Sequence, residues 1–382
     1  MATTSQAVAN QLIKFRGDYF RAYLRETKLM PFMGAGQNKA IVMYRDLNDE
    51  GRELQVPIVY PIKNRGVGTG NLSGNESAIA NEALRILPVW RRNGVEVRKS
   101  EQKRASIDLY KAQREGLRDW STWDLKYSLL TELTTVAVDT ARFNDEDGIR
   151  ASVPYHAASA AQRNTFLTAS ADRVLFGNTE ANLVAGNYAS SLANIAAAQT
   201  FSRAVIDLAK AMATRESFTD GRVNAIRPVS IRATNDDNVE KYVIFAGTRA
   251  FNRLKTDIET ANLDGRVRGL DNVVFAGGVL EYNGVVTIEV PELDTVGVVP
   301  EAPTLSLSSL GPVGASSAQV ETVFMLGAQA LAVAWGQEPI FTTDEQTDYG
   351  FLRKVGIEEN RGIQKVLWAN RQHGMMTIHV AR

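Results

Sequence analysis

The chain of 382 residues contains no cysteine and only three histidines, and its lysines and arginines (43) balance its aspartates and glutamates (43). Each shortage removes a class of function. Without cysteine there is no disulfide framework and no thiolate metal site, which predicts assembly in a reducing cytoplasm. Zero net charge leaves no global field drawing the molecule to nucleic acid or to an anionic membrane, so any DNA contact is expected to be local or weak. No segment approaches the roughly eighteen apolar residues of a membrane span. Residues 1–11 lack the basic-then-apolar layout of a signal peptide. A soluble, cytosolic protein with no membrane partner is expected.

Motifs that carry chemistry are equally scarce. The glycines of Gly66–Gly70 (GVGTG) are not followed by the lysine and hydroxyl residue of a P-loop. His373 and His379 would share a strand face but stand about 20 Å apart, so they cannot hold one ion, and His156 adds too little. The acidic run Asn144–Gly148 has Phe143 where a calcium loop needs its first ligand and lacks the closing glutamate. It reads as a solvated turn. No GxSxG elbow is present. The expectation is a protein with no catalytic residues, cofactor or metal, and not an enzyme.

What the chain has is an ordered series of elements able to stick to something. Val8, Leu12, Phe15, Tyr19 and Tyr23 place one apolar stripe on a helix over Ser5–Glu26, which ends near Pro31 and leads to a short strand, Ala40–Tyr44. Leu54, Val56, Ile58 and Tyr60 alternate, while Pro57 and Pro61 confine this run to an edge or a two-stranded ribbon. A polar stretch follows, made flexible by Gly66, Gly68, Gly70 and Gly74, and extended character returns over Ala83–Val97. Lys63, Arg65, Arg85, Arg91 and Arg92, set against Glu76 and Glu82, suit reversible contacts that select a register on a neighbour. An isolated ribbon is marginal in water. The simplest partner for it is another copy of the chain.

A helix is predicted over Ser100–Val138, about 55 Å long, with Ile107, Tyr110, Leu117, Trp120, Trp123, Tyr127 and Leu130 on its buried stripe. Core packing is expected of Trp120 and Trp123 in preference to base stacking. Gly116 is its weak point, at about 1 kcal/mol against alanine. The stripe lacks the clean heptads of a coiled coil. Loops with short helices are expected over 139–200, then an amphipathic helix over Phe201–Thr214. Strands follow at Tyr242–Ala246, Val273–Val279, Val285–Val290 and Val323–Leu326, with a helix at Arg249–Asp257 and a surface loop over 300–319. Turns at Asn360–Gly362 and Asn370–Gly374 would fold the end into a three-stranded antiparallel meander. The class is α+β.

Three stretches, KLMPFMGAGQNKAIV at Lys28–Val42, LGAQALAVAWG at Leu326–Gly336, and DYG with VGIEENRGIQK between Asp348 and Lys365, resemble the major capsid proteins of tailed bacteriophages, in particular the N4-like branch of the HK97-fold family. The resemblance implies an HK97-like capsid fold. Residues 1–49 would be its N-terminal arm and 50–98 the extended loop that lies over a neighbouring subunit. Residues 99–140 and 346–382 would form the peripheral domain, with the long spine helix, and 200–345 the axial domain. Residues 141–199 would be an insertion or a connecting segment. The implied function is self-assembly into hexamers and pentamers of an icosahedral head around double-stranded DNA. The implied partners are portal, scaffolding and decoration proteins, and packaged DNA held by weak inner-surface contacts. The missing long N-terminal scaffolding segment points to a separate scaffold. Assembly would occur in the host cytoplasm and residence in the virion. Rival readings are an encapsulin-like compartment of the same fold, a tail or sheath protein, and a hydrolase recognisable by a pocket of converging titratable groups.

Overall fold

The computed structural model describes residues 29–382 except 47–52, 60–61, 63–65, 75, 77–80, 106–107, 138–151, 156–157, 217–223, 233–237, 265–278, 295–319, 345–346 and 369. The arm helix, the acidic run Asn144–Gly148, His156, the surface loop over 300–319, and Lys63, Arg65 and Ile107 therefore lie outside the described residues. The chain divides into two compact units. The smaller contains Trp90–Leu125 and Gln337–Asn360, the larger Thr27–Val89, Lys126–Gly336 and Arg361–Arg382.

The larger unit is built on a mixed seven-stranded sheet. Its strands run in the order Val279–Tyr282, Val285–Glu289, Asn238–Ala246, Val320–Leu326, Met375–Ala381, Val174–Phe176, with Val229–Arg232 paired to Asn238–Ala246. The two middle strands are apolar almost throughout and buried at every position, as strands covered on both faces must be. Ile244, Ala246, Val323, Met325, Met376, Ile378 and Val380 alternate along their strands and meet the helix Arg203–Ala213 and the helix Thr248–Asp264 through Val205, Ala209, Met212, Ala250 and Leu254. The other face carries Phe245, whose ring lies 5.8 Å from that of Phe32. Residues Val174–Phe176 pair in parallel with Thr377–His379, so this part of the stretch read as loops is an edge strand of the main sheet.

The carboxyl-terminal meander does not form. Leu352–Lys365 is one continuous strand of 14 residues that runs straight through Asn360–Gly362. Gly362 is there for closeness, not for a turn: a Cβ would lie 2.5 Å from the Leu87 carbonyl oxygen and 2.8 Å from Ile86. The second turn is real, with Asn370 at φ 60° between the short strands Leu367–Trp368 and Arg371–Gln372. Beyond it, Met375–Ala381 pairs with Val320–Leu326 over its full length and not with its sequence neighbour. Long-range pairing overrode the local hairpin.

The spine helix is shorter than its periodicity suggested. It spans Leu109–Leu133, 25 residues and about 37 Å, after a separate short helix, Lys99–Arg104, that ends with Ala105 extended. Asp108 starts it by accepting from the Lys111 N–H at 3.2 Å, and Gln102 accepts from the Leu109 N–H at 2.9 Å. At the other end the β-branched run Thr134–Val136 leaves the helix, and Thr135–Ala137 pairs with Ser152–Pro154. Within the smaller unit Leu117 is buried against Val355 and Ile357, with Tyr110, Trp120, Val95 and Phe341 packed around them. Within the larger unit Leu129, Leu130 and Leu133 are buried. Trp123 and Tyr127, expected on the buried stripe, are exposed at 43% and 39%. They sit on the flank of the stripe, where the drift of a 3.6-residue period over several turns carries them outward.

Candidate assembly interface

The ribbon predicted from alternation and proline exists. Leu54–Val59 pairs antiparallel with Asn81–Ile86, in the register Leu54↔Ile86 to Val59↔Asn81, and Pro57 is tolerated because the ribbon has only two strands. Opposite residues share a face. One face, Leu54, Val56, Ile58, Leu84 and Ile86, packs on Ala332, Ala334, Val366 and Tyr44. The expectation that the ribbon's partner is another copy of the chain is thus corrected for this face. Its base is docked, because alternation supplies a full apolar face and the small side chains of Ala332 and Ala334 leave room for it. The other face, Gln55, Pro57, Val59 and Ala83, is exposed.

Beyond Val59 the described loop residues stay in solvent. Gly66 and Gly74 take φ of 66° and 87°, conformations that favour glycine, so these two of the four loop glycines are required by the backbone. Gly68 has open space around it, and a Cβ on Gly70 would meet Val67 at 2.9 Å. The Ser73 N–H donates to Asn71 at 3.1 Å and the Gly74 N–H to Glu76 at 2.8 Å, a local turn that holds Glu76 on the chain's own backbone.

The charges expected to reach a neighbour divide. Arg85 is held by Glu53, donating at 2.5 Å and 3.2 Å, and Gln55 donates to the same carboxylate at 2.5 Å. In the smaller unit Arg92 pairs with Glu358 at 3.6 Å while remaining mostly exposed. Both arginines therefore have partners within their own chain, which the sequence reading did not foresee. Arg91 is half-buried in the strand Val89–Arg98, and Glu82 lies in the ribbon opposite Ile58.

Exposed apolar side chains are distributed unevenly. Among the described residues the large ones are Met30, Val59, Ile62, Val67, Leu72, Trp90, Trp123, Tyr127, Ile340, Tyr349 and Phe351, and none lies between 128 and 339. Val59, Ile62 and Leu72 are exposed at 61%, 55% and 63%. Tyr349 is fully exposed in a turn where it and Asp348 both take positive φ, 52° and 53°. So many large apolar groups left in solvent mark a candidate interaction surface.

A family model described as phage capsid protein matches residues 3–381. The chain belongs to the phage capsid protein family. It is similar to the capsid asymmetric unit of cyanophage Pam1, with 28% identity over 100% of this chain and 99% of that one and a TM-score of 0.81. The capsid of Ralstonia phage GP4 shares 19% identity, covering 100% and 98%, with a TM-score of 0.68. The acidic stable capsid of Helicobacter pylori bacteriophage KHP30 shares 15%, covering 98% and 96%, with a TM-score of 0.63. No curated protein matches the chain. The HK97-like α+β fold and the role of major capsid protein in the phage head, both implied by the three motifs, hold. Nothing supports the compartment or tail readings.

Several polar groups are buried inside this capsid protein. His379 engages the Tyr188 hydroxyl at 2.5 Å and the Thr322 hydroxyl at 2.9 Å, among the rings of Tyr155 and Phe176. Burial and the Lys365 charge push its pKa down to about 3. Lys365 itself donates to the Thr135 carbonyl at 2.6 Å beneath the Tyr155 ring, and burial lowers it to about 7 against the pull of Glu132. His373 lies against Trp368 at 4.8 Å and falls to about 4 through burial and the charges of Arg173 and Arg371. The two histidines expected on one strand face are in different elements, a turn and a strand. Among the described residues no group of acids and histidines is placed to hold a metal ion, and no helix is long and apolar enough to cross a membrane.

Proposed function

We propose that the capsid protein closes into hexamers and pentamers by laying the outer face of the ribbon and the end of its loop on an adjacent copy. The supporting observation is the concentration of exposed apolar side chains on residues 30–127 and 340–351. Val59, Ile62, Val67 and Leu72 are the anchors of that contact, and Lys63, Arg65, Glu76 and Arg91 its polar rim, whereas Glu82, opposite Ile58, belongs to the docked face of the ribbon. Arg85 and Arg92 brace the ribbon and the following strand from within. One sequence meets two ring sizes because the loop glycines bend while the docked ribbon base and the spine helix stay rigid. Each contact can be weak, since a subunit held by several neighbours gains avidity.

In this reading residues 1–49 are the arm, 50–98 the extended loop, and 99–140 with 346–374 the peripheral domain, while Met375–Ala381, expected in the peripheral domain, goes with 200–345 in the axial domain because it pairs with Val320–Leu326. Shells assemble in the host cytoplasm with a scaffolding protein, take up a portal and a decoration protein, and touch packaged DNA weakly. The protein acts as a wall and not as an enzyme. Deletion of residues 64–76 tests the central step. The subunit should keep its melting transition and fail to form stable shells by electron microscopy, and normal shells from that variant would overturn the proposal.

A further inference from the structure

Several described cations of this neutral chain are paired with carboxylates. Arg85 pairs with Glu53, Arg92 with Glu358, Arg203 with Asp257, Arg215 with Glu180, Lys241 with Glu281 and Lys255 with Glu259. One concavity gathers four cations that are not so paired. It measures about 510 Å³, lies within the smaller unit at the break between the short helix and the spine, and is lined by Arg98, Lys99, Lys103 and Arg353 over Val97 and Tyr110. All four cations are exposed, and among the described residues none of them makes an ion pair.

The only carboxylate in the lining is Asp108, and it is turned to the backbone, accepting from Lys111 N–H at the start of the spine. Its charge is already engaged by the first turn of a 25-residue helix. The neighbouring strands hold the cations in place: the Lys99 N–H donates to the Phe351 carbonyl at 3.0 Å, joining the two stretches that carry Arg98 and Arg353. The concavity lined by Arg249, Arg253 and Arg382 is different, because the Asp294 carboxylate acts on Arg249 and Arg382.

We propose that the concavity of Arg98, Lys99, Lys103 and Arg353 is an anion site for the phosphodiester backbone of nucleic acid. Clustered, unmatched guanidinium and ammonium groups of mixed type favour phosphate oxygens without reading bases. Four such contacts in a chain of zero net charge give weak, salt-sensitive holding that does not pin a packaged genome. The inference rests on the reading that the shell encloses DNA, and it assigns that contact to named residues.

The test is fluorescence anisotropy of the full chain with a labelled 20-base-pair duplex across 50–200 mM salt. Four phosphate contacts predict a slope of about −3.6 for log affinity against log salt, a loss of about 150-fold across that range. In the double variant K99Q/K103Q the slope should fall to about −1.8 and the loss to about 12-fold. The variant R249Q/R253Q should leave it unchanged. Shell formation and the thermal melt are recorded for every variant, so a folding or assembly defect is seen separately from lost DNA contact. DNA content of purified shells tests the enclosing role itself. Inorganic pyrophosphate should compete only weakly. An unchanged slope in K99Q/K103Q overturns the assignment, as does equal displacement by polyglutamate of the same charge, which would mark the site as one for an acidic protein segment.

Discussion

The two faces of the ribbon should fail in different ways when altered. Ile86 is completely buried and Leu84 nearly so, against Ala332, Ala334 and Val366. Ile86→Ala should therefore cost about 2–5 kcal/mol, the usual range for emptying a core site, and lower the melting temperature of the subunit. Val59, Ile62 and Leu72 are more than half exposed, so the triple variant V59S/I62S/L72S should change subunit stability by little, within roughly 0.5 kcal/mol per site. Each of those side chains still has about half of its apolar area left to bury on a neighbour, worth about 1 kcal/mol at about 25 cal/mol per Å². Three together weaken a contact by about 3 kcal/mol, which raises the concentration needed for assembly about 100-fold. Thermal denaturation followed by circular dichroism reads the first effect, and sedimentation velocity across a concentration series reads the second. Assembly of the triple variant at the wild-type concentration would refute the division, and so would an Ile86→Ala subunit that melts like the parent.

Two further outcomes follow from the interior. Gly116 lies exposed within the spine helix with nothing near its absent Cβ, so Gly116→Ala should stabilise the subunit by about 1 kcal/mol in chemical denaturation; a loss of stability would show that the position needs glycine for a contact with another copy. Acid should destabilise the fold through His373 and His379, whose pKa values of about 4 and about 3 lie below the unfolded value of about 6.5. Their contribution is complete above pH 6.5 and declines as pH falls toward 4 and then 3, at up to about 1.4 kcal/mol per pH unit for each. Glu321, raised to about 7 by burial and Asp294, acts in the opposite sense between its unfolded value and pH 7. Urea titrations from pH 7 to 4.5 should accordingly show a steeper loss in Glu321→Gln than in the parent, and an equal slope would contradict the assignment.

The sequence by itself settled whatever depends on neighbours along the chain. Alternation at Leu54, Val56 and Ile58, with Pro57 among them, confined the run to a sheet edge or a ribbon of two strands, and the glycines at 66, 68, 70 and 74 marked the loop beyond it. The spine was visible from its apolar period, and its true start was legible too, since Asp108 is a capping residue that the periodicity alone passed over. Only the tertiary structure decided which surfaces are spent. Asn360–Gly362 resembles a turn until Leu87 is known to pass within reach of Gly362. Arg85 resembles an outward charge until Glu53 is seen beside it, and Trp123 resembles core until its side of the helix is seen uncovered. A local pattern reports the shape a segment prefers. Whether a face is buried depends on which distant strand arrives against it, and that is set by the whole chain's competition for the same partners.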